Sequence, residues 1–532
     1  MNYFQKLALI ILNHIHESFS QMWFDFSKTR IFCFGIDFLP VWILLFNLIF
    51  HLLITINIAS LNYDEFILLS ISKQPTHEFF NTIQAEPHPL GFYLLLRLFQ
   101  LTHFSTSQIR IILTAFFHSV LLFTTIFAYK SKLIEKFNAK LGLSLVFTSF
   151  VIFQVGIQVK QDVVSFPLFF VFFVSSFCLA FLKTRHPQVL KSVSFFSVTL
   201  LLFFSYIYLL FSSITILLFL VFAMKKKAAN GTFFFCTLIV LTISSLFYFY
   251  AYGHYQIENN YLQKNRFLWT QTVPNSFIAG IPGSIAGAQL DGPIGDAFTI
   301  IFIVLFFTAI KQNRKSSETA HRWVLAAFLI FLLTTSFSRL FVQDRYSVPV
   351  FMVFMFICGS VVGIKLRQSL IWILLFVLYI RSATVILSAS DNTRSFETLA
   401  RVLSEVSQNQ KTGLLSNLPG GGLYLKVRFA PKLPQIIPLS TSKNSALIPK
   451  PIFNHQYLSE SAESIEKTSS DLQADFRSLQ FSQFVLVDSY SSAYSFYDPE
   501  HRTKSALASM CTKNDELVQF NSVDVVLFSE CQ

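Results

Sequence analysis

The sequence predicts an α-helical polytopic membrane protein, with about eleven transmembrane helices and a small α/β domain at its C-terminal end. Hydrophobic residues make up 53% of its 532 residues and charged residues only 13%, with a mean hydropathy of +0.54. A soluble domain carries about a quarter charged residues. Apolar runs near the length that a bilayer-crossing helix needs, about 20 residues, recur as far as Leu387, and the composition turns polar after it.

The apolar runs set the predicted spans. The region Val193–Met224 is too long for one spanning helix and short for two, and we interpret it as two short helices joined by a tight turn near Ser205 and Tyr206. The other predicted spans are Phe38–Ser60, Ile109–Tyr129, Leu141–Val159, Val163–Leu182, Phe233–Tyr252, Ala297–Ile310, Trp323–Phe341, Val348–Ile364 and Leu370–Leu387.

Basic residues predict the orientation of the bundle, because short cytoplasmic loops carry an excess of lysine and arginine. Placing the N-terminal segment, residues 1–37, in the cytoplasm or at its membrane surface satisfies this rule. The net charge of +12 then belongs to cytoplasmic loops, and we exclude nucleic-acid binding. The assignment requires that Pro89–Leu101, which Arg97 interrupts, be a re-entrant or interfacial helix. The cytoplasmic loops then include Lys130, Lys132, Lys136, Lys140, Lys183, Arg185, Lys191, Lys225, Lys226 and Lys227.

An odd number of spans places the C-terminal region, residues 388–532, outside the cytoplasm as a soluble α/β domain that follows a transmembrane domain, residues 38–387. Cys511 and Cys531 would pair in that compartment, although spacing alone leaves the pairing open. Apolar patterns predict strands at Lys411–Asn417, Gln435–Leu439, Phe484–Asp488, Leu517–Phe520 and Val523–Phe528, and helices at Ser395–Val406 and His501–Met510.

Carboxylates gather in the outer loop, residues 61–106, that follows the first span. Asp64 and Glu65 are adjacent there, and Glu86 precedes a His88-Pro89 step. Carboxylates beside a membrane segment are costly unless they face water or do chemistry. Transfer of a sugar from an activated phosphate needs a base for the acceptor proton and cationic groups for the leaving phosphate. Asp64 would lie at the interface, where a lipid-linked donor presents its phosphate.

Four short motifs carry a family resemblance. Asn62-Tyr63-Asp64-Glu65, followed by Glu86-Pro87-His88-Pro89-Leu90-Gly91-Phe92-Tyr93-Leu94, resembles the Asp-Glu and His-Pro-Pro-Leu-Tyr-Tyr-Leu signature of GT-C glycosyltransferases. The likeness is to bacterial relatives of dolichyl-phosphate-mannose protein mannosyltransferases and of the lipid A aminoarabinose transferase. It covers about residues 36–400. The other three motifs are Ser107-Gln108-Ile109-Arg110-Ile111, Lys160-Gln161-Asp162, with lysine where arginine is usual, and Arg345-Tyr346-Ser347-Val348-Pro349.

The resemblance implies a GT-C fold and an integral enzyme of the plasma (inner) membrane. Such an enzyme moves a sugar, a mannose-like hexose or similar, from a polyprenyl-phosphate carrier to a protein, glycan or glycolipid acceptor at the outer face, with inversion. Asp64 would be the general base, and Glu65 a catalytic helper that binds the acceptor or orients Asp64. Lys160 and Arg345 would hold the donor phosphate.

The sequence leaves the roles of the remaining motif residues less specific. Asp162 and Glu86 would position a divalent metal ion or a sugar hydroxyl, or form structural salt bridges. His88 would touch the phosphate or begin a helix before Pro89. Arg110 would contact the phosphate or pair with one of the two adjacent carboxylates. Tyr346 would anchor the chain at the interface.

A polytopic membrane transporter or lipid flippase is the alternative function. A transporter places ionisable residues in the middle of its spans. The predicted spans are nearly free of charged residues, and the charged groups gather at one face. This pattern favours surface chemistry on a lipid headgroup over transport.

Overall fold

The computed structural model describes residues 38–57, 63–84, 89–136, 139–182, 184, 186–225, 230–248, 250, 379–380, 382–384, 401–406, 410–416, 422, 425–426, 433–439, 468–489, 501–520 and 523–531. The following predictions lie outside these residues: the N-terminal segment 1–37, most of the last four spans, and the site candidates Glu86, His88, Arg345 and Tyr346.

The described N-terminal half is helical, and it agrees with most of the predicted spans. Five helices are long and apolar enough to cross a membrane, which supports the membrane-protein class. They are α1 (Leu39–Asn57), α5 (Thr106–Lys130), α9 (Asp162–Phe181), α10 (Pro187–Phe204) and α12 (Gly231–Tyr248). The remaining helices of this half are α2 (Tyr63–Ser72), α3 (Thr76–Gln84), α4 (Leu90–Leu101), α6 (Leu133–Lys136), α7 (Lys140–Thr148), α8 (Phe150–Ile157) and α11 (Tyr206–Lys225).

Two helices occupy the long apolar region around Ser205, as predicted. Helix α10 ends at Phe204 and α11 begins at Tyr206, with Ser205 extended between them. The prediction of two short helices within Val193–Met224 was wrong in length, since α10 has 18 residues and α11 has 20. α10 begins at Pro187, whose fixed backbone angle suits the first helical position.

The predicted span Leu141–Val159 is wrong as a single helix. α7 ends at Thr148 and α8 begins at Phe150, and the backbone of Ser149 between them is extended. The break frees carbonyl groups that need partners within a membrane bundle. The Asn47 amide of α1 donates to the Phe147 carbonyl at 2.7 Å, and the Ser382 hydroxyl donates to the Thr148 carbonyl at 2.8 Å.

The outer loop folds into three short helices, α2 to α4. α4 has 12 residues, which at 1.5 Å per residue is about 18 Å and too short for a bilayer core of about 30 Å. Its Arg97 guanidinium donates to the carbonyls of Ser72 and Gln74, at 3.3 and 2.6 Å, and to the Thr76 hydroxyl at 2.9 Å. The charge that interrupts α4 therefore ties it to the turn between α2 and α3.

The start of α4 is fixed against the ends of two spans. The Leu90 amide donates to the Tyr248 hydroxyl at the end of α12, at 2.9 Å. A Cβ atom on Gly91 would lie 2.4 Å from the Phe203 carbonyl oxygen near the end of α10. Only glycine fits this approach, since no other residue lacks a Cβ atom.

The C-terminal half contains a five-stranded sheet in the order β2-β1-β3-β5-β4. Strands β1 and β2 are parallel, as are β1 and β3, whereas β5 is antiparallel to β3 and β4. Helices α13 and α14 pack on one face, where Phe476 and Leu507 meet Phe484 and Phe528. The elements are β1 (Thr412–Ser416), β2 (Ile436–Pro438), α13 (Ser469–Ser478), β3 (Gln483–Ser489), α14 (Arg502–Met510), β4 (Cys511–Phe520) and β5 (Val523–Cys531).

These strands coincide with the predicted ones, and β4 is longer than predicted because its outer residues are polar. Residues 401–406 are helical, within the predicted helix Ser395–Val406. Cys511 and Cys531 face each other in the β4–β5 ladder and form a disulfide. The structure therefore resolves the pairing that the cysteine spacing left open.

Candidate functional site

The adjacent carboxylates Asp64 and Glu65 lie in the first turn of α2. Negative side chains are favoured there because the unpaired amides of a helix N-terminus carry partial positive charge. The sequence motif thus begins a helix as well as bearing the candidate base.

Glu65 is buried, with 2% of its surface exposed, and both of its carboxylate oxygens are engaged. Oε2 lies 2.9 Å from Nη2 of Arg110 near the start of α5, in an ion pair with both side chains buried. Oε1 accepts the backbone N–H of Val159 at 2.6 Å. One side chain therefore joins α2, α5 and the junction between α8 and α9.

Arg110 takes one of its two predicted roles, as a partner of Glu65. Its helix starts one turn earlier at a capping box, in which the Ser105 hydroxyl accepts the Gln108 amide and the Gln108 side chain accepts the Ser105 amide. The cap fixes the first turns of α5, and with them the direction of the guanidinium. Removal of one partner of such a buried pair costs about 3–5 kcal/mol, because the other charge is left uncompensated.

The Lys160-Gln161-Asp162 junction lies directly beside this ion pair, since it follows Val159 in the chain. Gln161 and Asp162 are buried and Lys160 is partly exposed. Asp162 is the first residue of α9, a position where the helix N-terminus stabilises a carboxylate. It is also close enough to the buried Tyr208 of α11 to interact with it electrostatically.

The structure thus brings five predicted site positions to one end of the bundle. Glu65 and Arg110 are in contact, Asp64 precedes Glu65, and Lys160 and Asp162 follow Val159. The start of α4 contacts the ends of α10 and α12. Glu86, His88, Arg345 and Tyr346 lie outside the described residues.

Most of the described lysines of the helical half lie at the opposite end of the bundle. The Phe38 and Tyr129 rings meet there at 5.1 Å, and the Asn230 amide donates to the Leu179 carbonyl at 2.8 Å. These contacts join the start of α1 to the end of α5 and the end of α9 to the start of α12. Lys130, Lys132, Lys140, Lys191 and Lys225 belong to the helix ends and turns at this end.

The candidate metal ligands were Asp162 and Glu86. Within the described ranges, no three His, Cys, Asp or Glu side chains converge as the ligands of a metal ion would. Asp162 is described and Glu86 is not, so the pair itself stays a prediction.

Sequence reasoning missed one pair of polar residues inside the spans. Nδ1 of His51 in α1 and Nε2 of His118 in α5 are 2.7 Å apart, and both rings are fully buried. A signal was present, because polar residues recur every four positions, at Asn47, His51 and Thr55 in α1. Such spacing marks one face of a helix.

Comparison of the sequence with protein-family models found no matching model, and comparison with curated proteins found no similar protein. The resemblance to GT-C glycosyltransferases therefore rests on the four short motifs and their order along the chain.

Proposed function

We propose that this protein is an integral-membrane glycosyltransferase of the GT-C type that uses a polyprenyl-phosphate sugar as donor. One observation supports the proposal above the others: the Asp64-bearing helix is anchored to the bundle through the buried Glu65–Arg110 pair and the Val159 amide. A catalytic base must be held in position on a rigid element, and a buried, fully hydrogen-bonded neighbour provides that support.

In the proposed reaction Asp64 removes the proton from an acceptor hydroxyl while the hydroxyl oxygen attacks the anomeric carbon. The bond from that carbon to the phosphate oxygen breaks, and the polyprenyl phosphate leaves with the electron pair. Attack opposite the leaving group inverts the anomeric centre. Lys160, which follows Val159 in the chain, is one proposed phosphate contact, and Arg345 is the second.

Glu65 becomes a positioning residue in this proposal, rather than an acceptor-binding one. Its two oxygens are occupied by Arg110 and by the Val159 amide. The sugar is proposed to be a mannose-like hexose or similar, and the acceptor a protein, glycan or glycolipid at the outer face.

The proposed topology has eleven spans, a cytoplasmic N-terminal segment and an extracytoplasmic C-terminal α/β domain in the plasma (inner) membrane. The Cys511–Cys531 disulfide supports this sidedness, because disulfides persist in oxidising compartments and are rare in the cytosol.

The test of the proposed function is the substitution Asp64→Asn, assayed in membranes with a polyprenyl-phosphate sugar. Loss of the base should lower the rate of sugar transfer by about 10²–10⁴-fold, the usual contribution of general-base catalysis. Glu135→Gln is the matched control, since it removes an exposed carboxylate at the lysine-rich end of the bundle. Equal abundance of the three proteins excludes an insertion defect. Full transfer by the Asp64→Asn protein would show that Asp64 is not the base.

A transporter is the second candidate function, and two observations favour it. α7 and α8 form a discontinuous helix, and the buried His51–His118 pair lies within the bundle. Broken helices and ionisable residues inside spans are features of transporters. Uptake of a lipid-linked or free sugar into liposomes by the Asp64→Asn protein, with no transfer by the wild type, would favour transport.

A further inference from the structure

The His51–His118 pair has no part in the proposed sugar transfer. His118 is the midpoint of α5 (Thr106–Lys130), and neither ring has any exposed surface. Ionisable groups in the middle of a membrane span are rare, and they usually serve proton or ion movement. The position of the pair in mid-span therefore indicates a function separate from sugar transfer.

A third helix, α8, packs against the contact between the two rings. They meet edge-on, with centroids 4.6 Å apart and planes at 66°. Gly156 of α8 lies against the shared contact, because a Cβ atom there would be 2.8 Å from Nδ1 of His51 and 3.0 Å from Nε2 of His118. The Phe153 ring closes on His51 edge-on at 4.8 Å. Three helices thus enclose one nitrogen–nitrogen contact.

A distance of 2.7 Å between Nδ1 of His51 and Nε2 of His118 requires a hydrogen atom between them. A neutral imidazole carries one N–H and one bare nitrogen. The ring that donates the shared hydrogen therefore has a bare outer nitrogen, and the ring that accepts it has an outer N–H. The outer atoms are His51 Nε2 and His118 Nδ1, and both are buried with no hydrogen-bond partner among the described residues.

This arrangement has the polarity of a proton wire. In either tautomer the pair presents one bare nitrogen at one end and one N–H at the other. Buried polar atoms normally have partners, so an open acceptor and an open donor on a hydrogen-bonded pair indicate transient partners.

Polar residues continue from the pair in both directions, and we call this row the polar seam. On one side the hydroxyls of Thr55 and Thr114 are 3.5 Å apart, one turn from the rings. Arg110 follows a further turn along α5, with its charge paired to Glu65. On the other side Asn47 meets the break between α7 and α8.

We propose that His51 and His118 form a proton-transfer site inside the membrane bundle. A proton binds to the bare outer nitrogen of one ring, the shared proton crosses to the other ring, and the outer N–H of that second ring releases its proton. One proton enters and one leaves, and the pair ends in the opposite tautomer. Rotation moves no proton between the nitrogens of a ring, so the pair takes a second proton at the same end only after both side chains reorient and the hydrogen bond between them regains its first direction.

The charged groups around the site are few within the described residues. α1 and α8 contribute no Lys, Arg, Asp or Glu, and α5 contributes Arg110 and, at its far end, Lys130. Because Arg110 is neutralised by Glu65, the seam presents no strong fixed charge that would repel a proton. The proposal does not depend on glycosyl transfer.

The experiment uses the full-length protein in liposomes that contain a pH-sensitive dye, with a potassium gradient and valinomycin to drive protons. The wild type should move protons faster than protein-free liposomes, and His51→Gln and His118→Gln should fall to the protein-free rate. His186→Gln is the matched control, because His186 is exposed at the start of α10, and it should keep the wild-type rate.

Two further measurements keep the proposal testable if a histidine variant fails to fold. Gly156→Ala keeps both imidazoles but should push them apart, and it should lower the proton rate. In the unaltered protein, ¹⁵N NMR of labelled histidines should show coupling across one N–H···N hydrogen bond. A wild-type rate equal to that of protein-free liposomes overturns the proposal, as does an unchanged rate in His51→Gln or the absence of that coupling. Asp64→Asn should leave the proton rate unchanged, which separates this site from the proposed transferase.

Discussion

At the scale of single residues, the structure shows a partner for one of the two adjacent carboxylates of α2, because Glu65 pairs with Arg110. Neighbouring residues in a helix project about 100° apart, so Asp64 and Glu65 need not share an environment. Sequence alone identified both as candidates, because both follow a span and precede a His-Pro step. It could not tell which one pairs with Arg110, since that choice depends on how α2 is rotated against α5.

Glu65→Gln should destabilise the protein by about 3–5 kcal/mol, because it leaves the buried Arg110 charge without its partner. Glutamine keeps an oxygen for the Val159 amide, so the loss reports mainly on the ion pair. The double variant Glu65→Gln with Arg110→Met should be less destabilised than Glu65→Gln alone. Unfolding in detergent measures each difference.

The exposed pair Lys513–Asp515, with both side chains about half exposed, supplies the control for this comparison. Asp515→Asn should change stability little, because exposed ion pairs are screened by water. If Glu65→Gln is as stable as Asp515→Asn, the Glu65–Arg110 pair does not hold α2 in place.

At the scale of elements, length and apolarity predicted where helices lie but not where they break. The turn at Ser205 was foreseen, since a long apolar run had to contain two helices. The break at Ser149 was not foreseen. The side chains that donate to the carbonyls beside it, those of Asn47 and Ser382, are distant in sequence. Short helix α4 was correctly kept apart from the spans by its length and by Arg97.

Gly91→Ala should destabilise the contact of α4 with α10 by about 1–3 kcal/mol, the usual cost of overpacking. The added Cβ would lie 2.4 Å from the Phe203 carbonyl oxygen, and a backbone atom cannot rotate away as a side chain does. Gly231→Ala is the control, because among the described residues its Cβ would meet nothing nearer than 3.8 Å. Thermal unfolding should separate the two variants, and equal melting temperatures would show that α4 is not fixed at Gly91.

At the scale of the whole molecule, composition was enough to separate a helical membrane region from a polar region with strands. The asymmetry of basic residues between loops was enough to predict that Asp64, Glu65, Arg110 and Asp162 lie at one end of the bundle. The histidine pair was not predicted, because the polar face of α1 at Asn47, His51 and Thr55 does not show which helix it meets. Its meaning depends on a contact between residues 67 positions apart, which no local pattern contains.

The orientation of the whole chain gives the last prediction. A reporter fused after Leu387 should read as extracytoplasmic, whereas the same reporter fused after Lys225, at the lysine-rich end of the bundle, should read as cytoplasmic. The Cys511–Cys531 disulfide should then resist a thiol reagent on intact cells until a reductant is added.

Closing a loop between cysteines 20 residues apart should contribute about 3 kcal/mol to the stability of the sheet, so Cys511→Ser with Cys531→Ser should unfold at a lower temperature. A cytoplasmic reading after Leu387, or free thiols in the untreated protein, would contradict the proposed sidedness. Because the acceptor is expected at the outer face, the same result would remove the basis for Asp64 as the base of an outer-face transferase.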